Sequence, residues 1–346
     1  MNLISENIKQ LITEKAKQLG FVKVGFSKAG VLEEESAQLS EWLVKGRDAD
    51  MKWIEKGFDK RKDVKLIMEG AKSVISLAYN YYTPFEHDES LPKISRYAWG
   101  KDYHKVLKKK LKELSDTITT LPLTKGEWPQ AEGIMTRAYV DDGPVMDKAW
   151  AVKSGIGWMG KHTNIINPEY GSWLFLSEII TNIEFESYDS PITDLCGSCT
   201  LCISACPTGA IISEYKLDSN LCISYHTIEN RGEIPASINL SGWLFGCDIC
   251  QDVCPYNTPK YNYDCKDENF YPKAEIYKTS PNPLLGKEGT NIDLPLTKGE
   301  YPKGEGVWKS KSELEQITEE EFNTIFADSP IKRTKYKGWK RNLEKL

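Results

Sequence analysis

Nine cysteines sit in a chain of 346 residues, and all nine fall between positions 196 and 265. A disulfide framework would spread its cysteines over the structure it staples, in an oxidising compartment; clustering in a long chain points to metal binding instead. Cys196, Cys199, Cys202 and Cys206, followed by Pro207, have the spacing C-x2-C-x2-C-x3-C-P. Three thiolates on one tight loop can serve three irons of a cubane, while the fourth, past a turn set by the proline, points to a different cluster. Cys247, Cys250 and Cys254, followed by Pro255, repeat the C-x3-C-P ending with one cysteine fewer, which Cys222 could supply. Exchange of the last cysteine between the runs assigns Cys196, Cys199, Cys202 and Cys254 to one [4Fe–4S] cluster. The other takes Cys206, Cys222, Cys247 and Cys250. Zinc sites share the C-x2-C spacing but do not require the two x3-C-P endings. Cys265 is left over and reads as a bystander. Two adjoining cubanes make a one-electron wire, and the 195 residues before Cys196 exceed what an electron carrier needs. A catalytic domain fed by the clusters is expected.

The elements that must hold these groups are irregularly alternating helices and strands. Ile4, Ile8, Leu11, Ile12, Ala16 and Leu19 recur at helical spacing before Gly20, a C-cap. Residues 21–26 alternate like a strand, 32–44 form a second helix, and 74–78 are apolar enough for a buried strand. Residues 105–118 read as a helix with a solvated lysine face, and 137–140 and 173–176 as further strands. The pattern predicts an α+β, or layered α/β, catalytic domain over residues 1–189 and a ferredoxin-like two-cluster module over 190–265. A C-terminal segment over 266–346 follows, with a loop rich in Pro, Gly and Lys at 280–306 and a basic tail. Residues 121–127 recur unchanged at 294–300; two copies make no structural repeat and read as tolerated loop insertions.

The composition, 40% hydrophobic and 27% charged, is that of a globular chain able to bury a core without staples. A net charge of −5 gives no global attraction for nucleic acid, so such a partner needs a local basic patch. The tail offers one. Arg333, Lys335, Lys337 and Arg341 could bind phosphates, and the interleaved Tyr336 and Trp339 could stack on unpaired bases. The plainer reading is a frayed basic terminus. The lysines of 105–112 are a weaker patch, better read as a solvated helix face. No run approaches the ~18 apolar residues of a membrane span. The N-terminus shows neither a basic n-region nor twin arginines, so the cytoplasm is the expected location.

Several segments resemble the epoxyqueuosine reductase family: ISRYAWGKDYH at 94–104, YVDDGPV at 139–145, GIGWMGKHT at 155–163 and NPEYGSW at 167–173. The cysteine run, CISY at 222–225 and SPIKR at 329–333 continue it in order. The resemblance covers most of the chain outside the two repeat-bearing loops. It implies an architecture similar to the core of cobalamin-dependent reductive dehalogenases, with a base-off cobalamin beside one cluster. It also implies reduction of the epoxide of epoxyqueuosine to the alkene of queuosine at the tRNA wobble position. Cobalamin rests on the resemblance alone, since the chain has four histidines and no Asp-x-His-x-x-Gly motif.

On residues alone Asp141 reads as a cap for a helix beginning near Pro144. The resemblance makes it the general acid that protonates the departing oxygen, and leaves Asp142 as the cap. Such an acid needs a site that raises its pKa. Asp142 stands where the family has Thr or Ser, and His162 where Asn is common. Arg61, Asp141, Lys161, His162, Asn164, Ser224 and Thr227 are the expected cofactor contacts, with the cluster sulfurs beside Cys222 as the alternative target of Ser224 and Thr227. The expected partners are tRNA carrying epoxyqueuosine and a low-potential electron donor, with the chain acting as a monomer away from membranes. Two other readings stand beside this one: a dehalogenase-like reductase of a small organic substrate, and a non-catalytic electron carrier. The absent export signal and the basic tail weigh against the first, the long N-terminal domain against the second.

Overall fold

Helix α1 (Asn2–Gln18) ends where its apolar spacing runs out. Gly20 follows at φ +94°, a left-handed turn that glycine takes without strain, and the Phe21 N–H closes back onto the Ala16 carbonyl at 3.0 Å. That closure occupies residues 20–22, so the strand expected from residue 21 begins instead at Lys23. The computed structural model describes residues 2–83, 85–121, 133–258, 264–273, 276–278 and 307–346. Apart from Leu121, the two copies of the seven-residue repeat lie outside the described residues, as does the loop expected at 280–306.

Four strands form one antiparallel sheet: β1 (Lys23–Lys28), β2 (Ser73–Asn80), β3 (Thr136–Tyr139) and β4 (Leu174–Thr181), in the order β1-β2-β4-β3. The expected helices are α2 (Glu33–Val44) and α3 (Tyr103–Thr119). β2 is buried along its whole length because helices cover both of its faces. Ile75, Leu77 and Tyr79 pack with Ile8 and Ile12 of α1 and Leu107 and Leu111 of α3. Val74 and Ala78 face the other way, against Trp150 and Ala151 of α4 (Asp147–Lys153). The result is a layered α+β domain, as expected.

The start of α4 corrects the capping expectation. The helix begins at Asp147, its N-cap is Met146, and no side chain caps it. Asp142 instead accepts the Val140 N–H at 2.9 Å and pairs with Lys108. The lysine face of α3 is solvated, as expected, with Lys105, Lys108, Lys109 and Lys112 exposed, though several of its lysines are paired. Besides Lys108, Lys110 bonds the Leu19 carbonyl at 3.0 Å and Lys112 pairs with Asp116 at 2.6 Å.

The basic tail is not frayed. Residues 335–345 form a helix whose Trp339 and Leu343 are fully buried against Phe322, Phe326, Trp99 and Leu244. Trp339 therefore builds a core and offers no ring to a base. Tyr336, half-buried, donates its hydroxyl to the Ile317 carbonyl at 3.1 Å. Asn342, also fully buried, donates to the carbonyls of Thr227 (2.9 Å) and Leu244 (3.0 Å), tying the tail to the cysteine module. That module is joined to the sheet domain by Asp248, which accepts from Ser95 Oγ at 2.5 Å and Arg96 N at 2.7 Å. No described helix is long and apolar enough to cross a membrane. Replacing Trp339 with Ala should cost about 3–5 kcal/mol through the cavity it opens, read as a lowered thermal midpoint of the holoprotein.

Candidate active site

Three short helices position the thiols, with Cys202 and Cys250 within them and the other six in the flanking turns: α5 (Leu201–Ala205), α6 (Ile223–Ile228) and α7 (Ile249–Asp252). Pro207 and Pro255 disfavour helical backbone in the residue before them, so Cys206 (ψ 108°) and Cys254 (ψ 125°) turn extended. The turn carries each away from the thiols that precede it. Cys254 joins Cys196, Cys199 and Cys202 around a cavity of about 390 Å³. Cys206 joins Cys222, Cys247 and Cys250, whose thiols interact electrostatically. Cys250 also senses Cys202, so the two groups adjoin.

Burial pushes the Cys254 thiol up to about 11, and those of Cys247 and Cys250 higher still. A buried thiolate needs a cation beside it, and iron supplies that charge, so this donor set fits iron–sulfur clusters. Among the described residues no three His, Cys, Asp or Glu side chains are close enough to hold a single metal ion. Trp158 Nε1 lies 3.4 Å from Cys196 Sγ, a donor of the kind that tunes cluster potential. Cys265 lies in the main core beside α3, away from both groups.

Asp141 leaves β3 in left-handed backbone, φ +51°, a strained conformation for a residue other than glycine. It is exposed, and its Oδ2 accepts the Tyr103 hydroxyl at 2.6 Å. Tyr103 is stacked on Phe175 at 4.3 Å with the rings 5° from parallel. Burial, reinforced by the Asp141 charge, holds its phenol well above the ordinary range, so it stays a donor. On α4, Lys148 donates to the Thr163 carbonyl at 2.8 Å and Asn164 Oδ1 at 2.9 Å. Its side chain is exposed, yet nearby protein pulls its ammonium down by desolvation, while Asp141, Cys250, Asp147 and Cys222 oppose the shift. One amine thus senses both the carboxylate and the second thiol group.

Two arginines flank the same space. Arg61, half-buried in the short helix Phe58–Lys62, donates to the Val145 carbonyl at 2.9 Å, and its Nε has no partner among the described residues. Burial lowers its pKa, against Asp147 and Asp141. Arg333 forms a two-pronged pair with Glu229, at 2.9 and 3.0 Å, and lies over the Trp53 ring at 5.5 Å. Glu229 raises its pKa most, and Asp141 and Tyr103 also contribute.

The remaining expected contacts separate. Lys161 is buried at the first thiol cavity, donating to the Gly197 carbonyl (2.6 Å) and Glu214 (2.7 Å). His162 lines that cavity too. Burial and Lys148 lower its pKa to about 4, and its Nδ1 accepts the Asn164 N–H at 3.1 Å. Asn164 holds Lys148, and the Ser224 hydroxyl bonds Cys222. Thr227 is a correction: it is fully buried, donating to the Ile223 carbonyl (2.8 Å) and accepting from Gly246 N–H (2.9 Å), so it braces the loop before Cys247 and reaches no cofactor. Arg341 is a second correction. Its guanidinium is spent on the carbonyls of Asn230 (2.8 Å), Gly232 (2.6 Å) and His226 (2.7 Å), leaving it unfit for phosphate. Lys335 and Lys337 remain exposed.

Sequence reasoning assigned no role to Tyr103, Lys148, Asp147 or Glu178. Glu178 did carry a signal, a charge within an apolar strand.

Residues 61–142 match the family model described as "Epoxyqueuosine reductase QueG, DUF1730", and residues 195–257 match "4Fe-4S double cluster binding domain". The epoxyqueuosine reductase of Cellulophaga algicola is 41% identical over 343 residues, covering 99% of this chain and 98% of that protein. A crystal structure of selenomethionine-labelled epoxyqueuosine reductase superposes with a TM-score of 0.78 at 30% identity, over 98% of this chain and 80% of the other. A second, of epoxyqueuosine reductase with a tRNA-Tyr epoxyqueuosine-modified stem loop, has a TM-score of 0.76 at 30% identity and the same coverage. With that identity sustained from end to end, and a double-cluster module where its cysteines converge, the chain belongs to the epoxyqueuosine reductase family, a family of oxidoreductases.

Proposed function

We propose that this chain reduces epoxyqueuosine in tRNA to queuosine, with electrons passing through two [4Fe–4S] clusters to a cobalamin and with Asp141 as proton donor. The carrying observation is the convergence of the cysteines: Cys254 turns back to Cys196, Cys199 and Cys202 around one cavity, and Lys148, held by Asn164, lies within electrostatic reach of both Asp141 and the second thiol group. An acid and an electron entry that border one space suit a reductive bond cleavage. The relative crystallised with a modified tRNA stem loop supports the substrate.

When bound, the clusters would deliver electrons singly and the cobalamin would supply the reducing centre for C–O cleavage. Cys196, Cys199, Cys202 and Cys254 would hold one cluster, and Cys206, Cys222, Cys247 and Cys250 the other. An unpartnered Arg61 Nε and an open Lys148 steadied by Asn164 fit the polar rim of a large cofactor, with Ser224 beside it. Tyr103 orients the Asp141 carboxyl, which passes its proton to the epoxide oxygen as the bond opens; a bare alkoxide would leave poorly. Arg333, Lys335 and Lys337 would meet tRNA phosphates near this space, and a low-potential donor in the cytoplasm would refill the clusters.

Three measurements test the reading. In an anaerobic assay on epoxyqueuosine-containing tRNA, Asp141→Asn should lose about 10²–10⁴ of turnover with iron and cobalamin contents unchanged; turnover near wild type would remove Asp141 from this role. Cys222→Ala should lower iron from about eight to about four per chain. The double variant Lys335→Glu/Lys337→Glu should weaken tRNA binding and flatten its salt dependence by about two counterions. Arg341→Gln should lower the thermal midpoint instead.

A further inference from the structure

Conversion of an epoxide to an alkene consumes two electrons and two protons and releases one water. Asp141 holds one proton at a time, so it has to be recharged within the cycle, by solvent or by a neighbouring acid. Glu178 of β4 pairs in register with Tyr139 of β3, two residues before Asp141. Its side chain is 0% exposed. By strand alternation it shares a face with Leu176 and Ile180, which pack on α4, and there its carboxyl meets that of Asp147. Both Glu178 oxygens and Asp147 Oδ1 are shielded from solvent and receive no N–H or O–H from any described residue. Two ionised carboxylates cannot rest against each other in such a place. A proton between them removes the repulsion and supplies the absent donor. Burial raises both carboxyls, and for Asp147 the charge of Asp141 pushes in the same direction. The charged groups that face the pair are Arg61 from the helix Phe58–Lys62, Asp141 from the end of β3, and Lys148 from α4 itself.

We propose that Asp147 and Glu178 share a proton and pass it to Asp141 after Asp141 has spent its own, supplying the second proton of the reduction. The inference rests on the proposed function. The two electrons open one C–O bond and remain as a pair at its carbon, and the oxygen takes the Asp141 proton to become a hydroxyl. Asp141, now a carboxylate, is recharged from the pair. The remaining C–O bond then breaks as the C=C bond forms, and the departing hydroxide takes that second proton and leaves as water. Both electrons would come from the low-potential donor, with the bound clusters as the relay. The pair regains its proton from solvent through Asp147, the less buried partner. Glu178 touches no reacting atom and is a positioning residue acting through Asp141.

The test is Glu178→Gln in the holoenzyme, read in two ways. Infrared spectroscopy of the wild type near neutral pH should show a protonated-carboxyl band, beyond that of Asp141, that shifts in heavy water and is absent from the variant. Turnover of epoxyqueuosine-containing tRNA should fall about tenfold or more above neutral pH and return to within about threefold of wild type in mild acid. Asp147→Asn should reproduce both results, which guards against a single variant that folds poorly. A wild type without the band, or a loss equal at every pH, overturns the proposal. A wild type that shows the band but no turnover keeps the shared proton and overturns the proposed function, and with it the assignment of that proton to this reaction.

Discussion

Four thiols drawn into one enclosed space would repel one another as thiolates, and water is too scarce there to screen them. Burial raises the pKa values of Cys247, Cys250 and Cys254, which favours their protonated form and makes them poor ligands until a metal is bound. Iron resolves the conflict by supplying positive charge where solvent cannot. The cysteine module is therefore a fold completed by its clusters, and its backbone devices serve that end. Pro207 and Pro255 extend the residue before them, so each run lends its last thiol to the neighbouring group. That exchange also brings the two groups into contact.

The module has a small apolar core of its own, built from Ile223, Ile234, Ile238, Leu240 and Trp243, and it is also held from outside. The C-terminal helix does much of this holding. Arg341 and Asn342 spend their donors on backbone carbonyls from His226 to Leu244, the stretch between Cys222 and Cys247. From the other side, Asp248 accepts from Ser95 and Arg96, and Gln251 and Asn257 bond Ser172. Buried hydrogen bonds of this kind contribute modestly when made and are costly to leave unmade, so they fix geometry more than they add stability. The cluster ligands are thereby kept in register with the sheet domain that carries Asp141.

The proton chemistry depends on a different constraint, the placement of acids at the edge of a buried sheet. Asp141 is held out of ordinary backbone space at φ +51° and steadied by Tyr103, itself locked by stacking on Phe175. Behind it, Glu178 occupies a position where an apolar residue would pack without cost. A buried carboxyl is tolerated only with a proton or a counter-charge, and Asp147 with Arg61 nearby provides the setting for both.

Local signals were strong where a covalent spacing or a periodicity carried them. Cysteine intervals and the two following prolines marked the thiol groups before any fold was known, since three residues between ligands and a fixed φ act over one turn of chain. Apolar spacing marked α1 to α3 and the first three strands to within about two residues, and the start of β4, whose last five residues it missed. Signals that depend on distant partners were silent or misleading. Nothing in the sequence of the tail distinguishes Lys335, left exposed, from Arg341, consumed by carbonyls more than a hundred residues away. Trp339 looked like a stacking platform and proved to be core, because Phe322 and Phe326 fold back over it. Thr227 looked like a cofactor contact and braces Gly246 instead. Sequence by itself determined the ligand chemistry and the elements, which follow from short-range geometry. Only the tertiary structure decided which charges meet, because burial and pairing are properties of what the rest of the chain brings alongside.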